Sequence, residues 1–112
     1  MEIKKLIINN RRIGTIGIAD QFLLRLRGLI RRDFSRFDAL LIQPCSEIHT
    51  MFMAYPIDVL FINKTGKVVK VAENIRPWTL CTRAHKAHSV IEFPAGKAGE
   101  LMIHEGDQIS IC

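Results

Sequence analysis

Short runs of β-branched and aliphatic residues, each stopped by turn-forming residues, recur along almost the whole chain, and this rhythm limits the fold more than any other feature. Ile3 to Ile8 and Ile13 to Ile18 read as two strands joined across Asn9-Asn10-Arg11-Arg12, a polar stretch with turn residues. Further strands are expected at Ala39 to Ile42, Ile48 to Met53, Ile57 to Ile62, Lys67 to Ala72, Ser89 to Phe93 and Gln108 to Ile111. Asn63-Lys64-Thr65-Gly66 between two β-branched runs predicts a four-residue hairpin connection with Gly66 at positive φ, and Glu105-Gly106-Asp107 predicts another turn. Many short strands at near-regular spacing argue for a small β-sandwich or a partly open β-barrel.

One segment departs from this rhythm. Asp20 offers an N-cap, and Phe22, Leu23, Leu26, Leu29 and Ile30 recur at helical spacing with Arg25, Arg27, Arg31 and Arg32 mostly between them. One short helix in the N-terminal third is therefore expected, its apolar stripe covering one side of a sheet. Gly28 inside the pattern costs about 1 kcal/mol relative to alanine and suggests an early end or a close backbone approach.

A chain of 112 residues, with 48% apolar and 24% charged residues, is the size and composition of one ordinary globular domain. Neither repeats nor low-complexity linkers divide it, so residues 1–112 are expected to form a single domain and a monomer. The apolar run Leu6-Ile7-Ile8 near the start is too short for the core of an export signal, and no stretch approaches the roughly 18 apolar residues of a membrane span. A cytoplasmic protein with no membrane partner is the expectation. Cys45, Cys81 and Cys112 leave one thiol over whatever the pairing, which fits reduced cysteines.

The net charge of +5 and the early arginines Arg11, Arg12, Arg25, Arg27, Arg31, Arg32 and Arg36 invite a nucleic-acid reading. Against it, the eight aromatic residues (six Phe, one Tyr, one Trp) form no interleaved basic and aromatic strand on which bases could stack. Solvated surface charge is the plainer account, and nucleic acid is not the expected partner.

The segment Pro44-Cys45-Ser46-Glu47-Ile48-His49-Thr50-Met51-Phe52-Met53-Ala54-Tyr55-Pro56-Ile57-Asp58 packs Cys, His, Met and Asp closely together. With Arg27-Gly28-Leu29 before it, and Phe61, Gly66, Pro77-Trp78, Glu92-Phe93-Pro94-Ala95-Gly96 and Gly106-Asp107 after it, the chain resembles the family called domain of unknown function 192. The resemblance runs from about Arg25 to Ile111. It implies a compact, mostly β fold with a short helix, and no established reaction, substrate or cofactor.

Metal binding and nucleophilic catalysis are both suggested by composition and both opposed by spacing. Cys45 and His49 are four residues apart, which in a strand is about 13 Å, whereas two ligands of one zinc ion each lie about 2.0–2.3 Å from it. Cys81, His85 and His88 would share a face only if Leu80 to His88 were helical, and Pro77-Trp78 with no strong cap opposes that; exposed loop histidines are the plainer reading. The same separation opposes Cys45 as a nucleophile with His49 as its base, and a buried structural thiol is commoner. No metal, cofactor or catalytic residue is assigned.

Asp58 lies in Ile57 to Ile62, a run apolar on both faces, and Glu92 lies between Val90-Ile91 and Phe93, so both carboxylates are expected to be buried and to need partners. Arg27 and His49 are the expected partners, and a pocket rim is placed at Cys45, Met51, Met53 and Trp78, since His49, Met51 and Met53 share one face if they form a strand. An ion-pair clamp between helix and sheet would use the same residues. The function expected is a small non-catalytic ligand- or partner-binding β domain, its cluster formed by Arg27, His49, Asp58 and Glu92, with an anionic small molecule or a protein as partner. The alternatives are a small hydrolase-like or metal-assisted enzyme using His49 with Asp58 or Glu92, and nucleic-acid binding through the early arginines.

Overall fold

The structure, a computed structural model, describes residues 2–19, 34, 36–48, 50, 55–79 and 82–112. Its strands are β1 (Glu2–Ile8), β2 (Arg11–Ala19), β3 (Ala39–Ile42), β4 (Glu47–Ile48), β5 (Ile57–Ile62), β6 (Val68–Ile75), β7 (Thr82–Arg83), β8 (Ser89–Pro94) and β9 (Ile109–Ile111), with one short helix, α1 (Lys97–Glu100), between β8 and β9. The architecture is mainly β, a curled half-barrel sheet, as the rhythm of short apolar runs implied. The helix expected from Asp20 lies outside the described residues; the helix that is described sits towards the C-terminus. None of the helices described is long and apolar enough to cross a membrane.

Seven strands form one sheet in the order β6-β5-β8-β3-β2-β1-β9, and β4 pairs with β7 in a separate ribbon. Local pairings follow from turn chemistry. Asn9 and Asn10 take φ of 51° and 66°, the left-handed pair that lets a two-residue turn match strand twist, and β1 and β2 run antiparallel from it. Asn63 Oδ1 accepts from the amides of Thr65 and Lys67, and Gly66 takes φ 89°, so the expected β5–β6 hairpin forms. The β2–β3 pair is parallel, with Ile16 opposite Ala39. Asp38 locks its entrance, its carboxylate accepting from Thr15 N at 2.8 Å in space that Gly14 leaves clear by having no side chain.

Alternation along the strands divides the core in two. Leu6, Ile16, Leu41, Leu60, Ile62, Ile91 and Phe93 face the concave side together with Ala98 of α1 and Ile103. Leu40, Ile42, Ile57, Val59, Phe61 and Val90 face the convex side, where Phe34, Phe37, Cys45, Ile48, Tyr55, Ala84 and Ala87 cover them. Phe34 sits edge-on to Phe37 and Tyr55, with ring centroids 6.2 and 6.4 Å apart, the favoured aromatic arrangement.

The curl brings the two outermost strands together at one end. Lys67 bridges Gln108, Val68 N donates to Asp107 O (2.9 Å), Gly106 N to Val68 O (2.8 Å) and Ile109 N to Gly66 O (2.8 Å). Asp107 braces this junction: Oδ2 accepts from His104 N (2.8 Å) and Oδ1 from Asn9 Nδ2 (3.0 Å), while Asn9 Oδ1 accepts from Gln108 N (2.8 Å). The His104 amide first, and then Asn9, hold the Asp107 carboxyl below its ordinary value of 3.8. A group depressed in the folded state stabilises fully above its unfolded pKa and loses that contribution as pH falls through the folded value. Asp107→Asn should therefore lower stability by about 1 kcal/mol at pH 6, and the gap should close below about pH 3.8. Urea melts from pH 2 to 6 measure it, and a gap that widens in acid would contradict this role.

One expectation needs correction. Ile48 to Met53 is not one continuous strand, because Thr50 stands outside any strand and pins the 76–79 turn; His49 and Met51 to Met53 lie outside the described residues. Thr50 N donates to Thr79 O (3.0 Å), its O accepts from Trp78 N (2.8 Å), and its hydroxyl donates to Arg76 O (2.6 Å). The described part of the Leu80–His88 segment, from Thr82 onward, is not helical, as Pro77-Trp78 led one to expect: Thr82–Arg83 is a strand, and His85 and His88 follow in turn and loop.

Candidate functional site

Asp58 is fully buried in the middle of β5. Its alternation places it on the concave face, opposite Phe93 of β8. Its partners are two backbone amides. Between Ile57 and Val59 the β5–β6 register shifts, because β6 carries an extra residue, and Asn74 adopts φ 51° there. The Asn74 N–H, turned out of the ladder, donates to Asp58 Oδ1 at 2.8 Å. Ala98 N, at the start of α1, donates to Oδ2 at 2.9 Å. Gly96 at the N-cap supplies no side-chain acceptor, so Asp58 caps the helix from a neighbouring strand, where a carboxylate also suits the positive end of the peptide dipoles. Arg27 and His49 were the partners expected for Asp58; both carboxylate oxygens are instead committed to backbone.

Glu92 is equally buried but on the opposite face. It pairs in register with Leu40 on β3 and Val59 on β5, both convex-face residues, and lies two residues from Val90 on that side. The sheet therefore separates the two carboxylates that the sequence grouped in one cluster. Arg27, His49, Met51 and Met53 lie outside the described residues, as does Cys81. Trp78 stands on the surface, 56% exposed, at φ 66° in the turn held by Thr50.

Cys45 packs against the convex-face core and lines a recess of about 320 Å³ with Pro44, Ser46, Glu47, Ala87 and His88. Its backbone N–H donates to His88 O (2.9 Å) and its thiol to Glu47 O (3.0 Å). The floor of this region is tied to the sheet: Glu47 and Arg83 pair across β4–β7 at 3.2 Å, and Lys70 donates to Arg83 O (2.9 Å) while its ammonium lies 5.6 Å from the centroid of the Phe61 ring. Among the described residues no three His, Cys, Asp or Glu side chains group as metal ligands. Sequence reasoning placed Ser89 at the start of a strand and read His85 and His88 as loop histidines, but gave Ser89 no role, because a serine opening an apolar strand carries no signal of its own.

Fold and site together define a small half-barrel β domain with a buried carboxylate on each face of its sheet. Residues 5–111 match the model of the family described as "Uncharacterized ACR", domain of unknown function 192, and the chain belongs to that family. A UPF0127 protein of Thermococcus kodakarensis is 32% identical over 102 residues, covering 87% of this chain and 64% of that protein. A UPF0127 protein of Pyrococcus horikoshii is 32% identical over 101 residues, covering 86% of each. The chain thus spans slightly less than two thirds of the Thermococcus relative. Among solved structures, a candidate transcription regulator of Sinorhizobium meliloti 1021 has the same fold, with TM-score 0.82 and 21% identity over 98% of this chain and 94% of that one.

Proposed function

We propose that this domain is a non-catalytic binding module whose convex face holds a small anion or an acidic partner group, with Arg27, His49 and Glu92 as its polar centre. The observation that carries the reading is Glu92, a carboxylate fully buried among Leu40, Val59 and Val90. Such a group is tolerated only with a charged or hydrogen-bonding partner. His49 directly follows Ile48, which packs on this face, and Arg27 supplies the cation that would clamp an anion. The recess at Cys45 and His88 opens beside the same layer. Catalysis by His49 with Asp58 is disfavoured, because an enzyme needs its groups convergent around an accessible cleft, and Asp58 is sealed on the other face with both oxygens occupied.

The test is a thermal-shift screen of phosphate, sulfate, small carboxylates and acidic peptides, followed by Arg27→Ala and His49→Ala. Both variants should fold and lose binding of whichever compound shifts the wild type. If both unfold, the residues are a structural clamp and the proposal fails. A generic oligonucleotide belongs in the same screen, given the regulator description of the Sinorhizobium neighbour; binding to it alone, with steep salt dependence, would also overturn the reading.

A further inference from the structure

Beneath the β5–β6 hairpin, the concave face does not close completely. A recess of about 150 Å³ remains between the starts of β8 and β9 and the ends of β3 and β5, on the opposite side of the sheet from Glu92. Leu41, Ile62, Ile91, Ile109 and Ile111 give it an aliphatic lining. Gln43, Asn63, Lys64, His88 and Ser89 add polar groups, and among the described residues no acidic side chain lines it.

Ser89 distinguishes this recess from a packing defect. Its side chain is 6% exposed and points to the concave face, since it pairs with Ile62 and alternates with Ile91. Among the described residues no hydrogen bond holds its hydroxyl, which is not one of the fully buried unpartnered atoms and so opens into the recess. A hydroxyl presented in this way takes its hydrogen bond from what occupies the recess, water or a ligand. The polar side chains at hand cannot all turn to it: Asn63 Oδ1 already accepts from Thr65 N, Thr65 Oγ1 and Lys67 N.

We propose that this recess is a second binding site, for a small organic monoanion with a compact apolar body. The size limits the body, because an aliphatic-lined cavity of about 150 Å³ accommodates roughly one benzene ring. The charge limits the head group: among the described residues Lys64 is the one formally charged side chain in the lining, and the Ser89 hydroxyl is placed to donate to an oxyanion. The site is assigned without Arg27 or His49, so it stands independently of the convex-face reading.

Benzoate, benzamide and benzylammonium are suitable probes, followed by amide chemical shifts of the 15N-labelled protein. Benzoate should perturb Ser89, Ile91, Ile109 and Ile111 with a Kd on the order of 1 mM, bind several-fold more tightly than benzamide, and exclude benzylammonium. Ser89→Ala should weaken benzoate about tenfold, and Lys64→Gln several-fold, with melting curves close to wild type. Lys64 is exposed on the hairpin, so that variant tests the proposal even if Ser89→Ala should fold poorly. No perturbation of these amides at about 20 mM benzoate, equal affinity for benzamide, or unchanged affinity in Lys64→Gln would each overturn it.

Discussion

Asp58→Ala should destabilise the domain by about 3–5 kcal/mol, because it removes a charged acceptor from two backbone amides at once, the buried Ala98 N–H and the part-buried Asn74 N–H. The loss falls on two structures that have no other support at those atoms: the Asn74 bulge in β6, and the first turn of α1. A hydrogen bond to a charged group contributes about 1.5–3 kcal/mol, and alanine would also leave the buried Ala98 N–H without an acceptor. Asp58→Asn keeps one acceptor oxygen and should fall between alanine and wild type. Equilibrium urea unfolding measures all three, and hydrogen exchange should show the Asn74 and Ala98 amides losing protection first. A loss below about 1 kcal/mol for alanine would remove Asp58 from this role.

Gly66→Ala should cost about 2–4 kcal/mol, and Gly106→Ala appreciably less, although both glycines have nearly the same backbone conformation. At φ 89° and 93° an alanine is strained in either place. Only at Gly66 would the added Cβ also collide, 2.6 Å from Gln108 Nε2 and 2.8 Å from Ile109 O, while at Gly106 nothing lies within 4 Å. The glutamine side chain can move; the Ile109 carbonyl belongs to the closing strand and cannot do so without parting the junction. Comparing the two variants by chemical denaturation separates the clash from the conformational term. Equal losses would mean that the hairpin backs away from β9 without penalty.

What could be read before the structure was local. β3 and β5 were expected at the bounds they have, and β1, β2 and β8 within a residue or two, because turn residues and β-branched runs act over a few positions. The Gly66 conformation was legible for the same reason. Long-range facts were not. In β5 every residue from Ile57 to Ile62 is buried, so the alternation that would reveal which face a side chain takes is absent from the sequence. Asp58 and Glu92 therefore looked like neighbours, and only the order β5-β8-β3 and its register show them back to back. The burial of both carboxylates was readable; that Asp58 satisfies itself on backbone was not, since it depends on an extra residue in β6. Helix α1 is too short to leave a period, and Ile48 to Met53 carried a strand-like composition, although Thr50 turns instead to side-chain bonds with the 76–79 turn.

The meeting of β1 with β9 also has a temporal side. Leu6 pairs with Ile111, and Lys5 exchanges backbone hydrogen bonds with Cys112, so the beginning and end of the described chain are adjacent strands. A nascent polypeptide emerging from a ribosome would carry the outer edge of β1 unpaired while all the strands between β1 and β9 were made, unable to complete the sheet until the residues around Gly106 to Ile111 had cleared the exit tunnel. Contacts so distant in sequence must wait for synthesis, at about 5–20 residues per second, to deliver the second partner. The interval in which the edge of β1 lacks its neighbour is when this domain is most open to pairing with another chain.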